Sequence, residues 1–223
     1  MENLPFYIGA TLTLSTAFTA FILFKATNYS KPLIIGTIIW LAAQSAMALS
    51  GFYRVTGGTP PRFALLLLPP VVFVSMLFII RKKALTENSN IKLLTLLHIV
   101  RIPVELTLYW LFQHKTVPAV MTFAGSNFDI LSGLSAPFVY YFGYVKKSLN
   151  SSVILLWNIL CLLLLGNIVV TAVLSGPFAF QRFGFNQPNI ALLYFPFIWL
   201  PCFIVPAVLF AHLAAIKSLR SNK

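Results

Sequence analysis

Five stretches of this chain run for 18 to 34 residues without an Asp, Glu, Lys or Arg: Asn3 to Phe24, Pro32 to Tyr53, Phe63 to Ile80, Ser148 to Gln181 and Phe183 to Ile216. A bilayer's hydrocarbon is about 30 Å thick and takes about 20 apolar residues of helix to cross. Backbone polar groups in lipid must be satisfied within the segment, which selects helices. Each of the two longest stretches therefore holds one helix and an uncharged flank. Composition agrees, with 59% of residues hydrophobic and 9% charged, against about 25% charged in an average soluble domain. The chain reads as all-α, a polytopic transmembrane helical bundle forming a single integral membrane domain over residues 1–223.

Seven spans are expected: Pro5 to Lys25, Pro32 to Gly51, Phe63 to Ile80, Ile91 to Phe112, Asn127 to Tyr144, Val153 to Leu174 and Ile190 to His212. The fourth contains His98, Arg101 and Glu105, and charge counting supports it. With seven spans and the N-terminus outside, Lys25, Lys31, Arg81, Lys82, Lys83, Lys92, Lys146, Lys147, Lys217, Arg220 and Lys223 fall on the cytoplasmic side. Arg54, Arg62, Lys115 and Arg182 fall outside, a split of 11 to 4 with Arg101 inside a span. Without the fourth span the split becomes 9 to 7, a much weaker positive-inside bias. The C-terminus is accordingly cytoplasmic, and the expected location is the cell's inner (plasma) membrane, multi-pass. Phe52 and Tyr53, Tyr109 and Trp110, and Tyr140, Tyr141 and Tyr144 lie near span ends, where aromatic rings anchor helices at the headgroups.

The net charge of +12 does not point to nucleic acid, which needs basic residues gathered on one soluble face. Here they lie between apolar segments, where they set topology and meet anionic lipid headgroups. Membrane lipids are thus the expected partners. Cys161 and Cys202 fall mid-span and read as small apolar side chains rather than a disulfide. The first segment has Glu2 where a signal peptide carries a basic n-region, and is read as the first span.

Only four residues are acidic, Glu2, Glu87, Glu105 and Asp129, and two of them fall in or beside the fourth and fifth spans. His98, Arg101, Glu105 and Tyr109 follow a spacing of 3, 4 and 4, which places them on one helix face. An ionisable side chain in a bilayer costs about 3 kcal/mol on insertion scales and usually faces the bundle interior or a water-filled cavity. Arg101 and Glu105, one turn apart, can pair within the helix, although that order is the weaker one. A buried pair placed only for stability does little that apolar packing would not. Phe123-Ala124-Gly125-Ser126-Asn127-Phe128-Asp129 reads as a turn and a helix start. Ser126 and Asp129 resemble a capping box, so Asp129 is either a cap or a carboxylate facing Arg101. Candidate ligand-binding or charge-pair residues are Arg101, Glu105, Asp129, His98, Tyr109 and Asn127, around a pocket opening outward. Gln44, Asn158 and Asn167 read as amides joining helices.

Other features add less. Phe178, Phe180, Phe183 and Phe185 flank Arg182 in the last outer loop, a lipid gate or an interfacial belt. Pro196, Pro201 and Pro206 in the last span each remove a backbone hydrogen bond, leaving a kink or a transporter's hinge. No internal repeat is evident.

Several classes are struck out. His98 and Glu105 are two turns apart, about 10 Å along the axis, too far to share an ion, so no metal site is expected. His98 and His212 lie at similar depth, which permits bis-histidine haem geometrically, but one histidine per span does not make a site, and no cofactor is expected. The last span has no lysine between Ile190 and Ile216 to carry retinal. There is no GxSxG, HExxH, P-loop or dinucleotide glycine pattern. The run HIVRIPVELTLYWLF followed by VMTFAGSNFDILSGLSAP resembles segments of uncharacterised bacterial polytopic integral membrane proteins. That resemblance implies no activity. The leading expectation is a non-enzymatic protein that binds or transports a small polar or amphipathic ligand. The alternatives are an intramembrane lipid-modifying enzyme using Glu105 or Asp129 as base, and a structural subunit.

Overall fold

A computed structural model describes residues 4–80 and 89–221. Arg81, Lys82, Lys83 and Lys223, counted above as cytoplasmic charges, and the acidic Glu2 and Glu87 lie outside the described residues. Among the described residues all regular structure is helical, with no strand. Seven helices of ten residues or more follow one another: α1 (Phe6–Ala26), α2 (Lys31–Leu49), α3 (Ala64–Ile79), α4 (91–113), α5 (Ile130–Val145), α6 (Ser151–Leu174) and α7 (Leu200–Arg220). Four of them, α1, α2, α6 and α7, are long and apolar enough to cross a membrane, and α3 and α5 are shorter apolar helices.

Local chemistry explains the helices' course. In α1 the hydroxyls of Thr13, Ser15, Thr16 and Thr19 each donate to the carbonyl four residues back, so these polar groups are satisfied inside an apolar helix. α4 tightens to a 3₁₀ turn at His98–Val100 before resuming at Arg101–Gln113. Pro103 lies just beyond that turn and lacks the N–H that would bond the Ile99 carbonyl. α5 ends in a π-helical stretch, Tyr140–Val145, and α7 begins with one, Leu200–Ile204. Asn90 and Asn150 cap α4 and α6 by accepting from the amides of Leu93 and Val153, as N-cap side chains do.

The last helix departs from expectation. It begins at Leu200 rather than Ile190, and residues 190–199 hold one 3₁₀ turn, Ala191–Leu193. Pro196 lacks an N–H and disfavours the α region at Phe195 before it, whereas Pro201 stands in the first turn of the helix, where no intrahelical donor is needed. Ala191, Leu192, Leu193, Phe197 and Ile198 are nonetheless buried. The irregular backbone is held by other elements, since the Thr116 carbonyl accepts from the amides of Ile190 and Ala191, and that of Ser175 from Asn189. The Phe-rich loop is folded back in the same way. Phe178 is buried against Phe63, whereas Phe180, Phe183 and Phe185 are exposed.

α4 and α7 form the centre. α4 packs on α1, α5 and α7, and α7 packs on α3, α4 and α6. α2 rests on α1 and on the π-helical opening of α7. Two tryptophans fasten it there: Trp40 Nε1 donates to the Cys202 carbonyl at 3.0 Å and Trp199 Nε1 to Ser45 Oγ at 3.0 Å. Cys202 is four residues before Pro206, whose missing N–H leaves that carbonyl without its helical donor. Gln44 fastens the turn after α2 by accepting from the buried Tyr53 hydroxyl, and burial raises that hydroxyl to about 12. Away from these contacts the helices present large apolar side chains outward, with Leu14, Ile38, Ile39 and Leu163 each more than half exposed.

Candidate functional site

The polar residues of the interior meet where α4, α5, α6 and α7 join. Arg101, the first residue of α4 after its 3₁₀ turn, is 3% exposed and at the centre. Its Nη1 donates to Asp129 Oδ1 at 2.7 Å and to the Cys161 carbonyl at 3.3 Å, and its Nη2 lies 3.0 Å from His212 Nε2. Guanidinium has only donors, so His212 Nε2 accepts. Nδ1 therefore carries the hydrogen and donates to Asn158 Oδ1 at 3.0 Å. Asn158 Nδ2 closes the chain on the Ile154 carbonyl. Arg101 thus fastens three helices besides its own.

Glu105, one turn further along α4, is 1% exposed. Its two oxygens accept from Asn127 Nδ2, each at 2.7 Å. Asn127 also donates to the Met121 carbonyl and accepts from the Asp129 amide, a local turn of the kind short amide side chains build. It thereby sets the position of both carboxylates. Arg101, Glu105 and Asp129 border one cavity of about 50 Å³, walled otherwise by apolar groups such as Leu108, Leu165 and Pro201. That volume admits a water or two and is far below the roughly 300 Å³ of a small ligand site. In this conformation the site is closed.

Three expectations change with the geometry. Arg101 pairs with Asp129 and not with Glu105, and among the described residues that is the one salt bridge. Asp129 at the start of α5 comes within 2.7 Å of the guanidinium, while both oxygens of Glu105 are taken by Asn127 Nδ2. Asp129 does stand at the N-cap position of α5, but its side chain caps nothing. Ser126 Oγ donates to the Val120 carbonyl, so no capping box forms. Tyr109 is separated from the others by stacking on Phe123, ring centroids 4.8 Å apart.

His98 is brought to the group from the other side. Its ring stacks on that of His212, centroids 4.0 Å apart and planes 20° apart, and meets Trp157 edge-on. Stacked faces do not aim two lone pairs at one iron, and both His212 nitrogens are engaged. Among the described residues no three of His, Cys, Asp and Glu are grouped to hold a metal. His98 Nδ1 and Arg101 Nε are buried without a partner. Asn158 and His212 are the residues that sequence reasoning set aside. Their signal was an amide and a histidine set within apolar stretches of α6 and α7. Both cysteines are free and buried.

A family described as a domain of unknown function, DUF8737, matches residues 60–220. The chain belongs to that family, and the match runs from α3 to the end of α7, taking in every residue of the polar network. No curated protein and no solved structure matches the chain.

Proposed function

We propose that the chain is a multi-pass protein of the cell's inner membrane, with seven spans, an outside N-terminus and a cytoplasmic C-terminus, that binds and carries a small polar or amphipathic solute at the Arg101–Glu105–Asp129 cavity. Support for the membrane comes from the girdle of exposed apolar side chains, including Leu14, Ile38, Ile39 and Leu163. In water such a surface would drive aggregation. The shorter α3, α4 and α5 complete the seven, with Glu105 and Asp129 in the outer half of the bilayer.

The observation that carries the carrier reading is the uneven partnering of two carboxylates on one cavity. Asp129 has the Arg101 guanidinium, while Glu105 has only an amide. Ionised, the group of three is short of one positive charge, and buried charge without a partner is expensive. Glu105 is therefore the place where a proton or a solute's cationic group would be taken up. Intramembrane carboxylates in such positions mark ion and solute pathways. Arg101 keeps an unpartnered Nε–H for an anionic group, and release of Asp129 as well would couple binding to movement between α4 and α5. The closed cavity is one state of such a cycle.

Native mass spectrometry in mild detergent tests this, with wild type beside Glu105→Gln. A small-molecule adduct in wild type that is lost in the variant, at an unchanged unfolding temperature, is expected. Equal adducts, or none in either folded protein, would remove the carrier reading. The result would then favour a structural role, which the closeness of the network itself supports. Topology is checked separately by labelling single cysteines placed at Gly57 and Ser148 from opposite sides of the membrane.

A further inference from the structure

A second cavity lies apart from the polar network and is about ten times larger, at about 530 Å³. It is a groove between α2 and α3, floored by α1 and α7, with Leu23, Gly36, Trp40, Phe73, Phe203 and Phe210 on its walls. Its floor is buried, while Gly36 and Phe73 at its rim are exposed. Along α2 the lining runs from Ser30 to Trp40, which at 1.5 Å per residue is about 15 Å. That is half of a hydrocarbon core about 30 Å thick, the depth of one leaflet.

The lining of the groove carries no charged side chain, and two lysines lie in the chain beside its Ser30 end. Ser30 and Pro32 line it, with Lys31 between them in the chain, and Lys25 lies two residues beyond the lining Leu23. Both lysines are exposed. The described carboxylates, Glu105 and Asp129, are buried in the other cavity, so nothing acidic among the described residues offsets these cations.

We infer that this groove holds an acyl chain of an anionic phospholipid, with the headgroup phosphate at Lys25 and Lys31. This rests on the membrane reading above, and not on solute carriage at Glu105. On that topology the Ser30 end faces the cytoplasmic leaflet, where anionic lipids concentrate. Gly36 faces open space at the wall of the groove. A Cβ built there meets nothing within 4 Å, so a larger side chain would enter the groove without forcing the helix aside. Trp40, held by its bond to the Cys202 carbonyl, is a built-in reporter.

The experiment uses purified full-length protein in phosphatidylcholine nanodiscs containing increasing fractions of phosphatidylglycerol with brominated chains, or of brominated phosphatidylcholine. The signal from Trp40 is the quenching in wild type less that in Trp40→Phe. Half-quenching is expected at about a thirtyfold lower fraction of the anionic lipid, from two lysines near a charged surface. Replacing both Lys25 and Lys31 with Ala should erase that preference, and Gly36→Phe should weaken quenching by either lipid. Equal quenching by the two lipids in wild type, or full quenching in Gly36→Phe, would overturn the inference. If Trp40→Phe does not fold, unfolding temperatures decide: phosphatidylglycerol should raise that of wild type and not of Gly36→Phe, and an equal rise in both would refute the site. A chain that stays out of nanodiscs altogether would overturn the membrane reading, whereas one that enters without lipid preference overturns only the groove. Glu105→Gln should leave the quenching unchanged.

Discussion

The two cavities lie on opposite sides of the same π-helical turn, yet they are built on opposite terms. Leu200, Pro201 and Ile204 face the small cavity with Arg101, Glu105 and Asp129, while Cys202 and Phe203 face the large one with Gly36 and Trp40. Around Arg101 four helices are drawn together by donors and acceptors, so the space left is a water or two wide. Around Trp40 the walls are apolar, few directional bonds cross, and α2 and α3 leave a groove. Polar groups in a low-dielectric interior must be matched atom by atom, which forces close and specific packing. Apolar walls demand no such match, since dispersion contacts carry no direction.

The largest effect is expected at the salt bridge between Arg101 and Asp129. Asp129→Ala removes the buried ion-pair partner of Arg101, and a loss of about 3–5 kcal/mol is expected. Thermal unfolding in detergent should show most of it restored when Arg101→Leu and Asp129→Leu are combined. If the single and double variants unfold alike, the pair is not what joins α4 to α5.

The glycines sharpen the contrast. A Cβ on Gly133 would lie 2.9 Å from Ile102 Cγ1 and 3.1 Å from the Ile102 amide nitrogen, so Gly133→Val should cost about 1–3 kcal/mol by overpacking. Trp40→Phe removes the donor to the Cys202 carbonyl and should cost about 1–2 kcal/mol, the penalty for an unsatisfied acceptor. Smallest is Gly36→Ala, expected to stabilise by about 0.5–1 kcal/mol, since the site is open and alanine is the better helix former. Unfolding curves of Gly133→Val and Gly36→Ala run side by side would contradict the comparison if both moved in the same direction.

Much of the helical plan could be read from residue types alone, because charge-free stretches of 18 or more residues leave few alternatives. The last helix was harder. Hydropathy continues from Ile190 to Ile216, and only the backbone decided that the helix would start at Leu200. At the site, spacing on α4 placed His98, Arg101 and Glu105 on one face, but it also placed Tyr109 there, which packs on Phe123 instead. Asn158 and His212 lie 57 and 111 residues along the chain from Arg101, so no local spacing relates them to it.

By itself, then, the sequence determined composition-level matters: helices rather than strands, apolar faces turned outward, and a few ionisable residues that had to be sheltered. These follow from periodicity and transfer energies, which are properties of short segments. Which carboxylate Arg101 would choose, that Asn127 would hold Glu105, and that α2 and α3 would stand apart around a groove were decided by the tertiary structure. Each depends on distances between residues far apart in the chain, and those are set only once the helices have packed.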